Sequence, residues 1–102
     1  MNLYTAGSLD MNFILDLYQQ AFPEEQRKPF SVIERKAAMG SMEMLVIKEE
    51  NQRVGLAITA MEDSLVILDY FAISEKWRGQ GDGSEALMLL QALYEDRQFF
   101  WN

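Results

Sequence analysis

A glycine-rich stretch joins the most apolar segment of the chain to a helical pattern near its C-terminal end. Leu65–Ile73 is apolar except for Asp69, residues 79–83 contain three glycines, and the helical pattern covers residues 83–97. Glycine adopts positive φ angles and lets a backbone approach a ligand closely. The sequence therefore predicts a strand, a tight loop and a helix in direct succession, and the rest of the fold has to accommodate this unit.

Two further helices are predicted before this unit. Apolar residues at helical spacing over residues 9–22 indicate one helix face, with Ser8 as its cap. Ser31 and Glu34 have the spacing of a capping box, which predicts a second helix that ends at Gly40.

The hydrophobic period then changes from that of a helix to that of a strand. Residues 44–47, 54–61 and 65–73 are short strand-like segments separated by polar turns, which is typical of an antiparallel meander. Residues 3–4 add a first strand, and residues 99–101 indicate the beginning of another strand after the third helix. The element order β-α-α-β-β-β-α-β predicts an α+β fold, with a mostly antiparallel sheet flanked by helices.

Composition limits the chemistry that is open to the chain. The 102 residues suffice for a single domain, and they include no Cys and no His, which excludes thiol nucleophiles, disulfides and His or Cys metal ligands. The formal net charge of -7 argues against nucleic acid or an anionic membrane as a partner. Because no basic leader or long apolar run is present, a cytoplasmic location is the default expectation.

The loop after Ile73 has the features of a phosphate site. The free N–H groups at the start of the following helix lie at the positive end of its dipole, and Arg78 and Lys76 add positive charge. The stretch lacks the Gly-Lys-Ser/Thr of a P-loop. It also follows a meander and not the first strand of a β-α-β unit, so a dinucleotide-binding interpretation is weak.

Arg78-x-x-Gly81-x-Gly83, between the strand 68–73 and the helix start 84–87, resembles the acyl-CoA-binding motif of the GNAT superfamily of N-acyltransferases. The predicted element order is similar to that family's order through its third helix and the start of its fifth strand. The resemblance implies an enzyme that binds acetyl-CoA and transfers the acetyl group to a primary amine, in a small molecule or a peptide, by direct attack. It implies no metal.

Residue roles follow from the resemblance by position. It implies that exposed backbone of the strand before the loop binds the pantetheine arm, at Phe71, Ala72 and Ile73. It also implies that the loop and the helix start bind the pyrophosphate, at Arg78, Gly79, Gln80, Gly81, Asp82, Gly83 and Ser84.

Asp69 is the candidate general base for the attacking amine. It is the one charged residue in its strand, and side-chain alternation predicts that it shares a face with Phe71 and Ile73. Apolar surroundings make a carboxylate a stronger base. The alternatives are a purely structural hydrogen bond or binding of the substrate amine without proton transfer.

Two features depart from the family pattern. Asp82 stands where an apolar or aromatic residue is usual, so either its carboxylate points away from the diphosphate or affinity for CoA is lower. The sequence also stops at Asn102, so we expect a domain that lacks the C-terminal third of the family fold. The family's general acid cannot be assigned, since Tyr94 lies on the third helix, and the incomplete sheet edge could pair with a second copy of the chain.

Two rival functions remain open at this point. A non-catalytic module could keep the fold for CoA binding, assembly or regulation, and a nucleotide-binding α+β domain would rest on the loop alone. The pair Arg27 and Lys28 also has two interpretations, because it could contact the 3′-phosphate of CoA or an acidic acceptor, or be an ordinary solvated loop.

Overall fold

A five-stranded sheet with the strand order β1-β2-β3-β4-β5 forms the centre of the molecule, for which a computed structural model describes residues 1–101. Neighbouring strands are antiparallel except β4 and β5, which are parallel. The strands are β1 (Asn2–Thr5), β2 (Met42–Glu49), β3 (Gln52–Glu62), β4 (Leu65–Ile73) and β5 (Gln98–Trp101). The predicted α+β fold and the predicted order of its strands are confirmed.

Three α-helices accompany the sheet, and they are α1 (Met11–Ala21), α2 (Phe30–Ala38) and α3 (Asp82–Leu93). The predicted capping box at the start of α2 is wrong. Pro29 precedes the helix, and its carbonyl accepts the first helical hydrogen bonds from Val32 and Ile33. Ser31 therefore lies inside the first turn and cannot serve as the cap.

The chain before α1 differs from the predicted helix. Residues Ser8–Asp10 form a 3-10 turn, because the Asp10 carboxylate accepts hydrogen bonds from Gly7 N and from Arg53 Nε, each at 2.8 Å. These bonds hold the pKa of Asp10 below its usual value. Leu9 is 86% exposed as a result, and its predicted place on the buried helix face is wrong.

The core has one apolar layer on each face of the sheet. Helices α1 and α2 cover the face that carries Val46, Ile58 and Tyr70, and α3 covers the face that carries Val66 and Leu68. A β-bulge in β4 accounts for the change of face along this strand, because Thr59 pairs with Leu68 while Ile58 pairs with Tyr70. Asp69 is the extra residue between them.

Helix α3 has one buried face. Ala86, Leu90 and the following Tyr94 are buried, whereas Met88 is 69% exposed. The prediction of a deeply buried helix, based on its overall apolar composition, is therefore wrong. No helix within residues 1–101 combines the length and the apolar character that crossing a bilayer requires.

Candidate functional site

The backbone of the loop between β4 and α3 takes conformations that favour glycine. Gly79 has a φ of 80° and Gly81 a φ of 84°. A Cβ atom added at either position would meet no atom within 4 Å, so the conformation and not crowding requires glycine there. The open space beside both residues is room that a ligand could use.

The backbone N–H groups of residues 79–84 donate no hydrogen bond to any other group in residues 1–101. The first hydrogen bond of α3 runs from Glu85 N to Gly81 O at 3.1 Å, so the preceding amides have no helical acceptor. Such amides at a helix N-terminus attract anions. The loop therefore presents a continuous run of free donors at the positive end of α3.

The free donors lie next to an open stretch of β4. Strand β5 pairs with β4 only over residues 65–68, so the edge of residues 69–73 has no neighbouring strand in the part of the chain that the structure describes. Ser74 N donates to Val54 O at 2.8 Å. Because backbone groups alternate along an antiparallel ladder, Ala72 then faces β3, and Phe71 and Ile73 face the open edge. Of the three positions predicted to bind the pantetheine arm, Phe71 and Ile73 thus direct backbone groups to the open edge, and the backbone groups of Ala72 are directed to β3.

The Arg78 side chain connects the glycine loop to the end of β4. Its Nε donates to the Ile73 carbonyl oxygen at 2.8 Å, while the residue as a whole is exposed. The Ile73 carbonyl is therefore already occupied, which leaves the Ile73 N–H and both backbone groups of Phe71 at the open edge. Arg78 positions the loop through this bond.

The Asp82 carboxylate lies beside the end of β2. Carboxylate oxygens of Asp82, Glu49 and Glu85 lie within 4.8 Å of one another, and the Met1 amino group is 3.2 Å from Glu49 Oε1. Asp82 Oδ2 is buried and has no hydrogen-bond partner within residues 1–101. The side chain is thus directed into a cluster of like charge that the Met1 amino group offsets in part.

Asp69 does not have the predicted neighbours. Its Oδ2 lies 3.3 Å from Lys28 Nζ, and its side chain is 9% exposed. The Lys28 ammonium also lies 5.5 Å from the centre of the Tyr70 ring. The bulge interrupts the alternation of side chains, so Asp69 lies with Lys28 and Tyr70, whereas Phe71 and Ile73 pack on the α3 side. The predicted common face with Phe71 and Ile73 is therefore wrong.

A tyrosine network surrounds Asp69 that the sequence did not reveal. The Tyr18 hydroxyl donates to Lys28 O at 2.7 Å, Lys28 N donates to the Tyr70 hydroxyl at 3.0 Å, and that hydroxyl donates to Gln26 O at 3.0 Å. Burial, followed by the neighbouring Tyr70 side chain, raises the pKa of Tyr18. The network fixes the segment between α1 and α2 against β4. The position of Tyr70 directly after Asp69 was the one sequence feature that could have indicated this network. The bulge that places both side chains on the same face of the sheet is not visible in the sequence.

Asp69 lines a cavity of about 340 Å³, together with Phe22, Gln26, Lys28 and Tyr70. A larger cavity, of about 670 Å³, lies between α2 and the start of β2, where Met42 and Met44 contribute to its wall. Neither Asp69 nor any residue of the glycine loop lines this larger cavity. The smaller cavity is therefore the better candidate for a reaction centre.

The Tyr94 hydroxyl takes part in hydrogen bonds that connect α3 to the sheet. Its hydroxyl lies 3.1 Å from Thr59 Oγ1 and donates to Glu43 Oε1 at 2.9 Å. Burial raises the pKa of Tyr94 to about 12. Tyr94 shares no hydrogen bond with the loop.

A model of the acetyltransferase (GNAT) family matches residues 11–101 of the sequence. Curated protein sequences show no significant match.

Solved structures share the fold at low sequence identity. A GNAT-family protein from Bacteroides thetaiotaomicron superposes with a TM-score of 0.79 at 18% identity, over 91% of this chain and 55% of its own length. A predicted acetyltransferase from Clostridium acetobutylicum, solved with acetyl-CoA, has a TM-score of 0.72 at 15% identity, over 99% of this chain and 79% of its own. An aminoglycoside 6′-N-acetyltransferase from Acinetobacter haemolyticus has a TM-score of 0.72 at 11% identity, over 100% of this chain and 79% of its own length. The chain thus spans about half the length of the first of these proteins.

Proposed function

Because the chain belongs to the GNAT acetyltransferase family, we propose that its strand β4 and glycine loop bind acetyl-CoA and that the acetyl group is transferred to a primary amine. The run of free amides over residues 79–84 is the observation that carries this proposal. In a chain with a net charge of -7, a polyanionic ligand depends on such local donors. The structure solved with acetyl-CoA, from Clostridium acetobutylicum, supports the same assignment.

The residues present fit the ligand chemically. The amides of Gly79, Gln80, Gly81, Asp82, Gly83 and Ser84 would hold the pyrophosphate, and the open edge at Phe71 and Ile73 would hold the amide groups of the pantetheine arm. The Asp82 carboxylate lies with Glu49 and Glu85, so its main-chain N–H can serve the site while its charge lowers affinity moderately. Arg78 keeps the loop in place through Ile73.

The proposed reaction needs no enzyme nucleophile, since acetyl-CoA supplies an activated thioester. The substrate nitrogen attacks the carbonyl carbon, a C–N bond forms and the C–S bond breaks. The nitrogen loses one proton, and the departing sulfur gains one, so the products are an acetamide and free CoA thiol. We assign acceptance of the nitrogen's proton to Asp69, which lies at the open stretch of β4. No residue is assigned as the donor of the proton to sulfur.

A non-catalytic CoA-binding module is the second candidate. The ion pair between Lys28 and Asp69 favours it, because a carboxylate held by an ammonium group can serve structure alone. Turnover of acetyl-CoA with an amine separates the two candidates. The cytoplasmic location and a dimer formed through the edge of β5 stay predictions.

Calorimetry with acetyl-CoA on the full chain tests the proposal. We expect micromolar binding, and we expect Gly81→Ala to weaken it about tenfold, because a Cβ at positive φ costs roughly 1–2 kcal/mol and distorts the loop. Gly40→Ala is the matched control, since Gly40 also has a φ of 84° and open space but lies after α2. A folded protein that fails to bind at millimolar acetyl-CoA, or that prefers ATP or NAD, contradicts the proposal.

A further inference from the structure

A second polar cavity, of about 360 Å³, lies between α1 and the segment that leads into α2. We call it the Arg27 cavity; Tyr18, Glu24, Arg27, Lys28 and Phe30 are among its lining residues. Its volume falls within the range of small-molecule sites, roughly 300–1,000 Å³. None of its lining residues belongs to β4 or to the glycine loop.

One hydrogen-bond donor of Arg27, a residue that lines this cavity, has no partner in the part of the chain that the structure describes. Its Nε atom is buried and has no hydrogen-bond partner within residues 1–101. None of the ion pairs in that part of the chain includes Arg27, although Glu24 lines the same cavity. A buried donor on a charged group is costly to leave without a partner, so this geometry calls for an acceptor that is absent from the protein itself.

Lys28 connects the Arg27 cavity to the cavity of Asp69. It lines both of them, and its Nζ lies 3.3 Å from Asp69 Oδ2. A molecule that reaches from one cavity to the other therefore passes Lys28, with a cation at one end and the Asp69 carboxylate at the other.

We propose that the Arg27 cavity binds an anionic group, a carboxylate or a phosphate, of the acceptor substrate whose amine lies beside Asp69. The proposal rests on the proposed function and narrows the acceptor to amines that also carry a negative charge. Arg27 binds the anion through its guanidinium group, whose planar fork of N–H donors suits both a carboxylate and a phosphate. Because the protein as a whole carries a net charge of -7, binding of an anion at this position depends on such a local positive group.

Nuclear magnetic resonance of the arginine side chains tests anion binding directly. Inorganic phosphate, and separately glutarate, is titrated into the full chain while the Nε–H signal of Arg27 is followed. We expect saturable shifts of that signal and of the neighbouring backbone amides. The amide shifts should be lost in Arg27→Gln and retained at lower affinity in Arg27→Lys. Arg35→Gln is the matched control, because Arg35 is exposed on α2 and its loss changes the net charge equally. An unsaturable response in the wild type, or equal loss in the control, overturns the proposal.

A second measurement identifies the source of the anion. Acetyl-CoA and its 3′-dephospho form are compared by calorimetry in the wild type and in Arg27→Gln. We expect Arg27→Gln to bind both within twofold of the wild type, while its rate with anionic amines falls at least tenfold relative to neutral amines. If Arg27→Gln binds acetyl-CoA more weakly than the wild type but binds the 3′-dephospho form equally well, Arg27 contacts the 3′-phosphate and the inference is overturned. If phosphate shifts Arg27 but acetyl-CoA does not bind, the proposed function fails and the anion site stands.

Discussion

The Nε atom of Arg78 lies 2.8 Å from the carbonyl oxygen of Ile73, and this hydrogen bond joins the end of β4 to the start of the glycine loop. Both residues border the amides that we assign to the pyrophosphate. The bond also removes one of the two backbone carbonyls that face the open edge of β4. Arg78 therefore acts on ligand binding through the position of the loop.

Arg78→Gln should weaken acetyl-CoA binding about tenfold, because the loop loses the bond that orders it and the site loses a positive charge. Calorimetry gives the affinity, and circular dichroism checks the fold. Lys76→Gln removes the same charge from an exposed residue of the same loop and should change affinity less than threefold. Equal effects of the two variants would show that charge alone, and not loop position, accounts for the role of Arg78.

Asp82→Asn should stabilise the protein by about 1 kcal/mol, because a buried oxygen without a partner is replaced by an amide that can donate to Glu49 or Glu85. Urea unfolding measures the change. Asp16→Asn, on the exposed face of α1, should stay within about 0.5 kcal/mol. A less stable Asp82→Asn protein would contradict the picture of three repelling carboxylates. Acetyl-CoA should also bind the variant a few-fold more tightly.

Tyr94→Phe should destabilise the fold by about 1–2 kcal/mol, because Thr59 and Glu43 both lose a hydrogen-bond partner in a buried position. Thermal or urea unfolding measures the loss. Tyr4→Phe is the control, since Tyr4 is 46% exposed and has no side-chain hydrogen bond within residues 1–101. Similar losses in both variants would contradict the proposed network.

The same tyrosine should make stability depend on pH in the alkaline range. Burial raises the pKa of Tyr94 from 10.0 to about 12, so the folded state holds the proton more tightly than the unfolded state. The resulting stability is fully present below pH 10 and is lost as the pH rises towards 12. Absorbance of tyrosinate at increasing pH, compared between the wild type and Tyr94→Phe, should show one tyrosine that ionises late. If the titration of Tyr94→Phe differs from that of the wild type only by the loss of one tyrosine that ionises near pH 10, this prediction is contradicted.

Asp69→Asn should lower kcat about 100-fold with an amine acceptor, because the nitrogen's proton loses its acceptor. Binding of acetyl-CoA should stay within twofold of the wild type, since the side chain lies by Lys28 and away from the loop. An unchanged rate in Asp69→Asn would show that Asp69 is not the base. A wild-type protein that binds acetyl-CoA but does not transfer the acetyl group to any amine would favour the non-catalytic module.

The strand pattern and the loop were accessible from the sequence because they depend on local features. The apolar segment Leu65–Ile73 was predicted with the bounds that the structure has. The three glycines of residues 79–83 were expected to allow positive φ; Gly79 and Gly81 have positive φ, and Gly83 does not. In these places the hydrophobic period and the conformational freedom of single residues determine the result.

The environment of Asp69 could not be predicted, because it depends on pairing between strands. Simple alternation assigned it the wrong neighbours, since the extra residue in β4 exists only relative to β3. The bond from Arg53 to Asp10 likewise spans distant parts of the chain and moves the start of α1. The unpartnered Nε of Arg27 has no local signature at all.

The strand order of the sheet has a consequence for how the molecule acquires its structure. Each strand after the first is hydrogen-bonded to the strand that precedes it along the chain; α1 and α2 lie between β1 and β2, and α3 lies between β4 and β5. The pairings of β2 with β3 and of β3 with β4 close short stretches of polypeptide, which favours rapid folding and lets this part of the sheet grow in the direction of synthesis. The open part of β4, where the ligand is proposed to bind, is thus synthesised and paired with β3 ahead of β5.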